Sequence, residues 1–311
     1  MLVAAQASLR CNDEAVEQTR FLHGFRRAEG EPLAGWGAHQ VRNILIQWPK
    51  RHWKHSLRTA AGMSDDLIVA IDESVELGWR VNLIDRKPYS GETLWVYLFP
   101  DAVAFDVSPD DLPRLIRDIA SGNTVELAPH PLTKPVITCC THGKHDRCCA
   151  KFGFASYKAL ATAADSRVSV WEITHLGGCR LSASVLVFPQ LHKYGRVGVS
   201  DAVHLIDAAT NGVPYLPKYR GASHLSPPAQ VADLTVLKSL AERGRVGPVS
   251  LTEVSTGENH VRFHFTTPQL TGEVISTARQ IATYGSCEDL ENEPGPNIKT
   301  VWTAKIVHSG P

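Results

Sequence analysis

Four of the seven cysteines lie within eleven positions, as the adjacent pairs Cys139–Cys140 and Cys148–Cys149. A fifth, Cys179, follows His175 in the fragment THLGGCR. Thiolates and imidazoles are ligands of zinc and of iron–sulfur clusters, and paired thiols also form dithiol redox sites. Adjacent cysteines in one strand or helix point in different directions, which makes a disulfide within either pair unfavourable. The clustering therefore indicates metal or redox chemistry more than a disulfide framework.

Length, charge and motifs exclude several classes of protein. The 311 residues include 32 Lys and Arg and 32 Asp and Glu, so the formal net charge is zero, which argues against a nucleic-acid partner. No stretch approaches the roughly 20 apolar residues of a membrane helix, and the N-terminus turns acidic without a positive leader region. We therefore expect a cytoplasmic protein without a membrane partner. The absence of G-x-G-x-x-G, P-loop and G-x-S-x-G motifs predicts no nucleotide cofactor and no hydrolase nucleophile.

Hydrophobic periodicity predicts two stretches with the same order of elements, β-α-β-β-β-α. The first comprises NILIQW (43–48), DDLIVAIDESVELG (65–78), WRVNLIDR (79–86), TLWVYLFP (93–100), AVAFDV (102–107) and SPDDLPRLIRDIASG (108–122). The second comprises PVITCC (135–140), AKFGFASYKALATAA (150–164), RVSVWEIT (167–174), SVLVFP (184–189), KYGRVGV (193–199) and SDAVHLIDAATNG (200–212). The helix over 108–122 is predicted to have Ser108 as its N-cap, Pro109 at its first position and Gly122 as its stop.

The two stretches also have identical residues at equivalent positions. Their Phe-Pro pairs, at 99–100 and 188–189, are 89 residues apart, and their final glycines, Gly122 and Gly212, are 90 apart. This predicts two tandem copies of one α/β unit on the thioredoxin plan, a central mixed sheet flanked by helices. The alternative is that a Phe-Pro pair and a capped helix recur by chance. Only the second copy carries the cysteine cluster, so the first is interpreted as a scaffold or docking half.

The rest of the sequence, from residue 214 onward, predicts a connector followed by a small C-terminal module. Residues 214–230 are rich in proline and read as irregular, and a helix is predicted over 231–244. Alternating segments such as HVRFHFTT (260–267) then predict a β-rich C-terminal module. The predicted domains are a scaffold unit (1–130), a cysteine-bearing unit (131–230) and the C-terminal module (231–311).

The predicted elements bring the cysteines to one edge of the second sheet. Cys139 and Cys140 end its first strand, Cys148 and Cys149 open its first helix, and His175 follows the next, parallel strand. Ligands commonly gather at such carboxyl ends of strands. Two equal C-x8-C spacings, Cys139 with Cys148 and Cys140 with Cys149, are compatible with this placement, and spacing does not choose between them.

The fragments CTHGKHDRCCAKFG, WEITHLGGCR, VLVFPQLHKYGRVG, YRGASHLSPPAQ and GEPLAGWGAHQVRNILIQWP together resemble the sucrase/ferredoxin-like family of thioredoxin-fold 2Fe–2S proteins. That family holds its cluster on C-x8-C and an H-x3-H pair. The resemblance implies a 2Fe–2S cluster on Cys140 and Cys149, with His175 as the third ligand. Cys179 stands where many members have the second histidine, so the residues here imply ligation by three thiolates and one histidine. Groups expected around the ligands are His142, Asp146, Cys148, Gly177, Gly178 and Arg180.

The ligand set determines the charge of such a centre. An oxidised 2Fe–2S core carries +2, so four thiolates leave −2, three thiolates and an imidazole leave −1, and two of each leave 0. The reduction potentials of Rieske centres with two histidines span about −150 to +300 mV, and those of plant-type ferredoxins are about −400 mV. We expect a midpoint reduction potential between these values. Positive charge that favours reduction and attracts an acidic redox partner is expected from Lys144, His145, Arg147 and Arg180.

Other interpretations of these residues remain. Three thiolates and one imidazole also satisfy structural zinc. C-x-x-C spacing is absent, but a thiolate at a helix N-terminus could serve a thiol or peroxide oxidoreductase. Cys139 and Cys148 are spare thiols, His145 is expected to face solvent, and Cys11 and Cys287 are expected to be buried small residues. The leading hypothesis is a 2Fe–2S electron carrier, more a carrier than a stand-alone enzyme, that receives electrons from a reductase, expected to be a flavoprotein, for an unnamed acceptor. Its rival is a redox or cluster-status sensor without turnover.

Overall fold

A computed structural model describes residues 30–87, 92–284 and 296–310, so Cys11 and Cys287 lie outside the described residues. Within these ranges the chain forms one ten-stranded sheet, one four-stranded sheet and five α-helices. The strands are β1 Asn43–Gln47, β2 Arg80–Asp85, β3 Leu94–Phe99, β4 Val103–Val107, β5 His130–Pro131, β6 Val136–Cys140, β7 Ser169–Ile173, β8 Val185–Phe188, β9 His192–Tyr194, β10 Tyr219–Ala222, β11 Ser250–Thr256, β12 His260–Thr266, β13 Thr271–Thr283 and β14 Asn297–Gly310. The helices are α1 Asp65–Glu76, α2 Leu112–Ser121, α3 Phe154–Ala163, α4 Ala202–Thr210 and α5 Pro227–Glu242.

Two consecutive thioredoxin-like units build the large sheet, as the repeated pattern predicts. In each unit two parallel strands are joined through a helix, β1 with β2 and β6 with β7, and an antiparallel pair follows, β3–β4 and β8–β9. The two units meet where β2 pairs with β7 in antiparallel fashion, Ile84 lying opposite Ile173. The sheet order is therefore β10-β9-β8-β6-β7-β2-β1-β3-β4-β5.

Alternation along the strands divides the core into two sides. Ile44 and Ile46 of β1 pack in a cluster with α1 and α2, and Cys139 of β6 belongs to the corresponding cluster beneath α3 and α4. Leu45 follows Ile44 in sequence and Cys140 follows Cys139, but both belong instead to a third cluster to which both units contribute. A one-residue step thus changes the face on which a side chain lies.

The large sheet curves strongly around this shared cluster. Phe99 of β3 and Phe188 of β8 stack with their ring centroids 4.3 Å apart, although the two strands are five steps apart in the sheet order. Five strand spacings of about 4.8 Å would separate them by about 24 Å in a flat sheet. The curvature therefore encloses the face on which Cys140 lies.

A capping side chain and a glycine define two of the helix ends. The Ser64 hydroxyl caps α1 by accepting from the Leu67 N–H (3.2 Å), and α2 ends at Gly122, whose φ of 73° suits a residue without Cβ.

The predicted start of the second helix, at Ser108, is wrong. The Ser108 hydroxyl accepts from the Asp111 N–H (3.2 Å) in a preceding turn, and α2 begins only at Leu112. Pro113, rather than Pro109, occupies the first helical turn, where the missing N–H of proline costs nothing.

The stretch predicted as an irregular connector, 214–230, contains regular structure. It supplies β10, which adds to the sheet edge beside β9, and it supplies the first residues of α5. Strand β9 is shorter than the predicted 193–199 because Arg196 takes a positive φ of 52° and the chain leaves the sheet.

The C-terminal module is an antiparallel sheet in the order β11-β12-β13-β14. Helix α5 packs against it through Val236 and Leu240, which lie in one apolar cluster with Phe263 and Phe265. The domain boundaries at 130/131 and 230/231 remain predictions. Among the described residues, no helix has the length and apolar character needed to cross a membrane.

Candidate metal centre

The carboxyl ends of β6 and β7 place the cysteine loop beside the histidine loop. Cys140 is the last residue of β6 and lies in register with Ile173, the last residue of β7. Because the strands are parallel, the chains that follow them leave from the same edge, as the sequence predicts. Cys139 and Cys140 are both buried. The Cys139 Sγ contacts the Gly153 carbonyl (3.4 Å) on the other face of the sheet.

A π-helical turn, Cys149–Gly153, opens the helix that follows the cysteine loop. The sequence predicts ordinary α-helix there, and the wider π turn accommodates one more residue than an α turn would. Gly153 lies so close to β6 that a Cβ at this position would come within 1.9 Å of the Cys140 carbonyl oxygen. This contact keeps the start of the helix, and with it Cys149, against the end of β6.

Positive φ angles shape the loop His175–Cys179. Gly177 and Gly178 have φ values of 88° and 77°, which favour glycine. A Cβ on Gly178 would also meet the Arg220 guanidinium, with 2.8 Å to Nη2. The two glycines therefore allow both the tight turn and the close approach of a buried cation.

Three thiols and one imidazole converge beneath this loop. The ligand atoms of Cys140, Cys149 and His175 all lie within 4.8 Å of one another. The Cys179 Sγ lies 3.9 Å from the Cys149 Sγ and 3.3 Å from the His175 Nδ1. All three cysteines are at least 95% buried, with 1%, 2% and 4% of their surface exposed. The four residues thus form one continuous group of potential ligands.

Burial makes these thiols poor acids in the absence of a cation. Contact with the Cys149 thiol, together with burial, raises the pKa of Cys140 well above its ordinary value. Contact with Cys149 lowers the pKa of Cys179, but burial and the Asp146 carboxylate outweigh it and raise that pKa to about 11. A bound metal supplies the positive charge that such thiols need to ionise.

Three cations, of which Lys193 and Arg220 are buried and Arg80 is half-buried, hold successive carbonyl groups of the histidine loop. Arg80 of β2 donates from Nη2 to the His175 carbonyl (2.7 Å), and Lys193 of β9 donates to the Leu176 carbonyl (2.8 Å). Arg220 of β10 donates from Nη1 to the Gly177 carbonyl (3.3 Å). Positive charge therefore reaches the loop from both units of the fold.

Burial is costly for these cations. It lowers the pKa of Arg80 to about 10 and that of Arg220 to about 9, and it lowers the pKa of Lys193 well below its usual value. An anionic centre beside the loop would offset that cost. The charge around the loop therefore suits a metal centre of net negative charge.

Several residues expected around the ligands support the two loops. The His142 ring donates from Nε2 to the Lys54 carbonyl (2.7 Å), and its Nδ1 accepts from the His175 N–H (3.4 Å). Asp146 accepts from the Cys148 N–H (2.7 Å) and lies close to the thiols of Cys149 and Cys179. These contacts join the cysteine loop to the histidine loop.

Arg180 differs from its expected role as a source of positive charge. Its guanidinium pairs with the buried Glu31 carboxylate, with 2.8 Å between Nε and Oε2, and it stacks over Trp36. The pair is close to neutral, so Arg180 fixes the N-terminal segment against the loop. Arg80 and Lys193 supply positive charge that the sequence does not predict. They lie on distant strands, and no local motif marks them.

The prediction that His145 faces solvent is wrong. Its ring is half buried, with its centroid 4.0 Å from that of His175. The ring of the exposed His55 lies 5.0 Å from the His145 ring. The row His55, His145 and His175 thus leads from the surface to the group of potential ligands, and His145 itself forms a possible ligand group with His175 and Cys179.

Residues 33–221 match the protein family described as Sucrase/ferredoxin-like. Altered inheritance of mitochondria protein 32 of Meyerozyma guilliermondii is 24% identical to this chain over 169 residues, which cover 44% of this chain and 60% of that protein. The chain therefore spans about 60% of the length of this relative.

Two solved structures of a thioredoxin-like [2Fe-2S] ferredoxin from Aquifex aeolicus are also similar to part of the chain. One covers 28% of this chain and 95% of the ferredoxin, at 15% identity and a TM-score of 0.25. The other covers 30% and 96%, at 15% identity and a TM-score of 0.27. Likeness at this level carries no information about the site.

Proposed function

Because this chain belongs to the sucrase/ferredoxin-like family, and because its thiols and imidazole converge, we propose that it is an electron-transfer protein that binds a 2Fe–2S cluster. Cys140, Cys149, His175 and Cys179 are the proposed ligands. When bound, the cluster would accept and release one electron. The observation that carries this proposal is the continuous group that these four side chains form, with Cys179 3.9 Å from Cys149 and 3.3 Å from His175.

The residues present fit such a group. Thiolate sulfur and imidazole nitrogen are iron–sulfur ligands, and the oxidised cluster with this ligand set would carry a net charge of −1. Arg80, Lys193 and Arg220 lie behind the same loop and would compensate that charge. They would also favour the reduced state, which is more negative by one unit.

Electrons are proposed to enter along the row of imidazoles. His55 is exposed, and the cationic residues Arg51, Lys54 and Lys144 are exposed around it. We propose that an acidic redox partner, of the flavoprotein class on the donor side, docks on this basic face. Reduction by a small acidic flavoprotein of the flavodoxin type should slow as salt rises. Lys54→Glu should slow it by about tenfold at low salt, whereas Lys238→Glu, on the exposed side of α5, should not.

The test of the cluster is analysis of protein purified without oxygen. We expect a brown protein with two iron atoms and two labile sulfides per chain, and a reversible EPR signal on reduction. A colourless protein with one zinc per chain would contradict the proposal.

Structural zinc is the second candidate, and one distance is compatible with it. Zinc–sulfur bonds of about 2.3 Å place two thiolates of a tetrahedral site about 3.8 Å apart. The Cys149 and Cys179 sulfurs are 3.9 Å apart. Metal and sulfide analysis separates the two candidates directly.

Two further functions use the same residues. A redox or cluster-status sensor would bind the cluster but change its affinity for a partner on oxidation, without sustained electron flow. A thiol or peroxide oxidoreductase would need an accessible low-pKa thiol. Contact with Cys149 and burial instead raise the pKa of Cys140, and the pKa of Cys179 is raised by burial despite its contact with Cys149. We propose the cytoplasm as the compartment because reduced, clustered thiols persist there, and localisation of the tagged full chain tests this.

A further inference from the structure

A cavity of about 770 Å³ lies on the outer side of the histidine loop. Its walls come from the N-terminal segment, the loop itself, the sheet edge and the C-terminal module. We refer to it as the loop cavity, and it is lined among others by Trp36, Arg80, His175, Lys193, Arg220 and Trp302. Its volume is in the range of sites for small organic molecules, about 300–1,000 Å³.

The loop cavity is strongly cationic. Arg80, Lys193 and Arg220 all line it, and in the described parts of the chain no lining residue carries a carboxylate. Arg180 also lines it but is already paired with Glu31. Positive charge in a concave, weakly hydrated wall attracts and concentrates anions.

Two buried donors in lining residues lack a hydrogen-bond partner among the described residues. They are the Nε of Arg220 and the Nε1 of the Trp36 indole. The Arg220 side chain belongs to a residue that is only 4% exposed. Buried donors are nearly always satisfied in folded proteins, because a donor that has lost its water and found no acceptor is destabilising. Both donors are thus unpaired within the described residues, and both belong to side chains that line the cavity.

The apolar part of the cavity is aromatic. Trp36 comes from the N-terminal segment and Trp302 from β14, and both line the space that the cations border. Indole faces suit a flat, unsaturated body. The combination of cations with aromatic walls selects a molecule that is anionic at one end and planar at the other.

We propose that the loop cavity binds a small planar organic anion, with a carboxylate or phosphate group held by Arg220 and Lys193 and a ring held between Trp36 and Trp302. His175 lines the same cavity, so the bound molecule would lie beside a proposed metal ligand. The site goes beyond electron transfer, and its existence does not depend on the identity of the metal.

The test uses 2-naphthoate as the probe and the full chain as purified. Isothermal titration at low salt should show one saturable site, with an affinity at least tenfold higher than that of the neutral analogue 2-naphthalenemethanol. Inorganic phosphate should compete with 2-naphthoate if the anionic end provides the recognition. Equal binding of the neutral analogue, or no saturable binding at millimolar concentrations, would overturn the proposal.

Charge variants at the rim make the test specific. Thr300 lines the cavity and is exposed, so Thr300→Asp should weaken 2-naphthoate binding at least fivefold without disturbing the core. Ala38→Asp, at another exposed lining position, should act in the same direction. Thr252→Asp on β11, which is exposed and outside the lining, should leave the affinity unchanged. If all three variants bind equally, the probe lies elsewhere and the proposal fails.

Iron, sulfide and zinc are measured on the same samples. Loss of anion binding with a full complement of iron and sulfide would refute only the loop cavity. Zinc in place of iron with intact anion binding would refute only the electron-transfer proposal.

Discussion

The Arg80 guanidinium, in the first thioredoxin-like unit, donates to the His175 carbonyl in the second, with 2.7 Å between Nη2 and the oxygen. Asn82 of the same strand also donates to that carbonyl, at 3.3 Å, and to the Thr174 hydroxyl, at 3.0 Å. The unit without the cysteine cluster therefore fixes the backbone of a proposed ligand. Its position next to β7 makes this contact possible.

Replacing Arg80 tests the electrostatic role of this contact. Arg80→Gln removes one positive charge beside the proposed cluster, so the midpoint potential should fall by about 30–60 mV. A shift of 59 mV corresponds to a tenfold change in the equilibrium constant of a one-electron reduction. An EPR-monitored redox titration measures the shift. Arg42→Gln provides the matched control, because Arg42 stacks on Trp79 at an exposed position of the same unit. An unchanged potential in the Arg80 variant would show that Arg80 does not stabilise the reduced state of the site.

Adjacent cysteines allow a sharp test of the ligand register. Cys140→Ser and Cys149→Ser should each lose most of the iron and sulfide, because they remove a proposed ligand. Cys139→Ser and Cys148→Ser should retain the cluster. The Cys139 variant should lose some stability, since its thiol is fully buried on the other face. Iron and sulfide analysis with visible absorption measures the outcome, and the reverse pattern would shift the register by one residue.

Cys179 is the proposed ligand that departs from the family pattern. Cys179→His would give two thiolates and two imidazoles, and the loss of one negative charge should raise the midpoint toward the Rieske range of about −150 to +300 mV. Cys179→Ser should instead lose the cluster or alter the EPR spectrum of the reduced protein. If neither variant changes the spectrum, the fourth ligand is another residue, and His145→Ala would then be the variant to examine, because His145 lies close to His175 and Cys179.

Asp233 makes stability depend on pH at a position far from the cysteines. Burial raises the pKa of this α5 carboxyl to about 7, above about 3.9 in the unfolded chain. The folded state thus favours the neutral acid, so stability should fall as pH rises from about 4 to 7 and remain low above that range. Asp233→Asn should raise the free energy of unfolding by roughly 2–4 kcal/mol at pH 8 and by little at pH 4.5.

Urea unfolding at the two pH values measures this effect. Asp207→Asn on α4 is the control, because Asp207 is exposed and its replacement should have a small effect at both values. A gain in stability for Asp233→Asn that is the same at both pH values would contradict a titrating carboxyl.

Local periodicity predicts the elements of this fold well, because it depends on residues close in the chain. The alternation of β1 and β6, the stop at Gly122 and the repeated order of elements are all visible in the letters. The pairing of β2 with β7 is not, since two edge strands can meet in many ways and neither carries a motif that selects a partner. Strand β10 is missed because Tyr219–Ala222 is short and lies among prolines.

The candidate site shows the same division. The thiols and His175 form dense local fragments, so their meeting at one sheet edge follows from two parallel strands. Arg80 and Lys193 lie on other strands and act through backbone carbonyls, which any residue could provide. The contact between the His145 and His175 rings depends on a loop conformation that no recognisable sequence pattern encodes.

The shared edge between β2 and β7 and the stack of Phe99 on Phe188 make the two units one cooperative structure. Neither half can melt without exposing apolar side chains of the other, so we expect a single thermal transition across residues of both. The half that lacks the cysteine cluster is therefore not a dispensable copy. Although it holds none of the proposed ligands, its sequence is constrained by the need to keep the second unit folded.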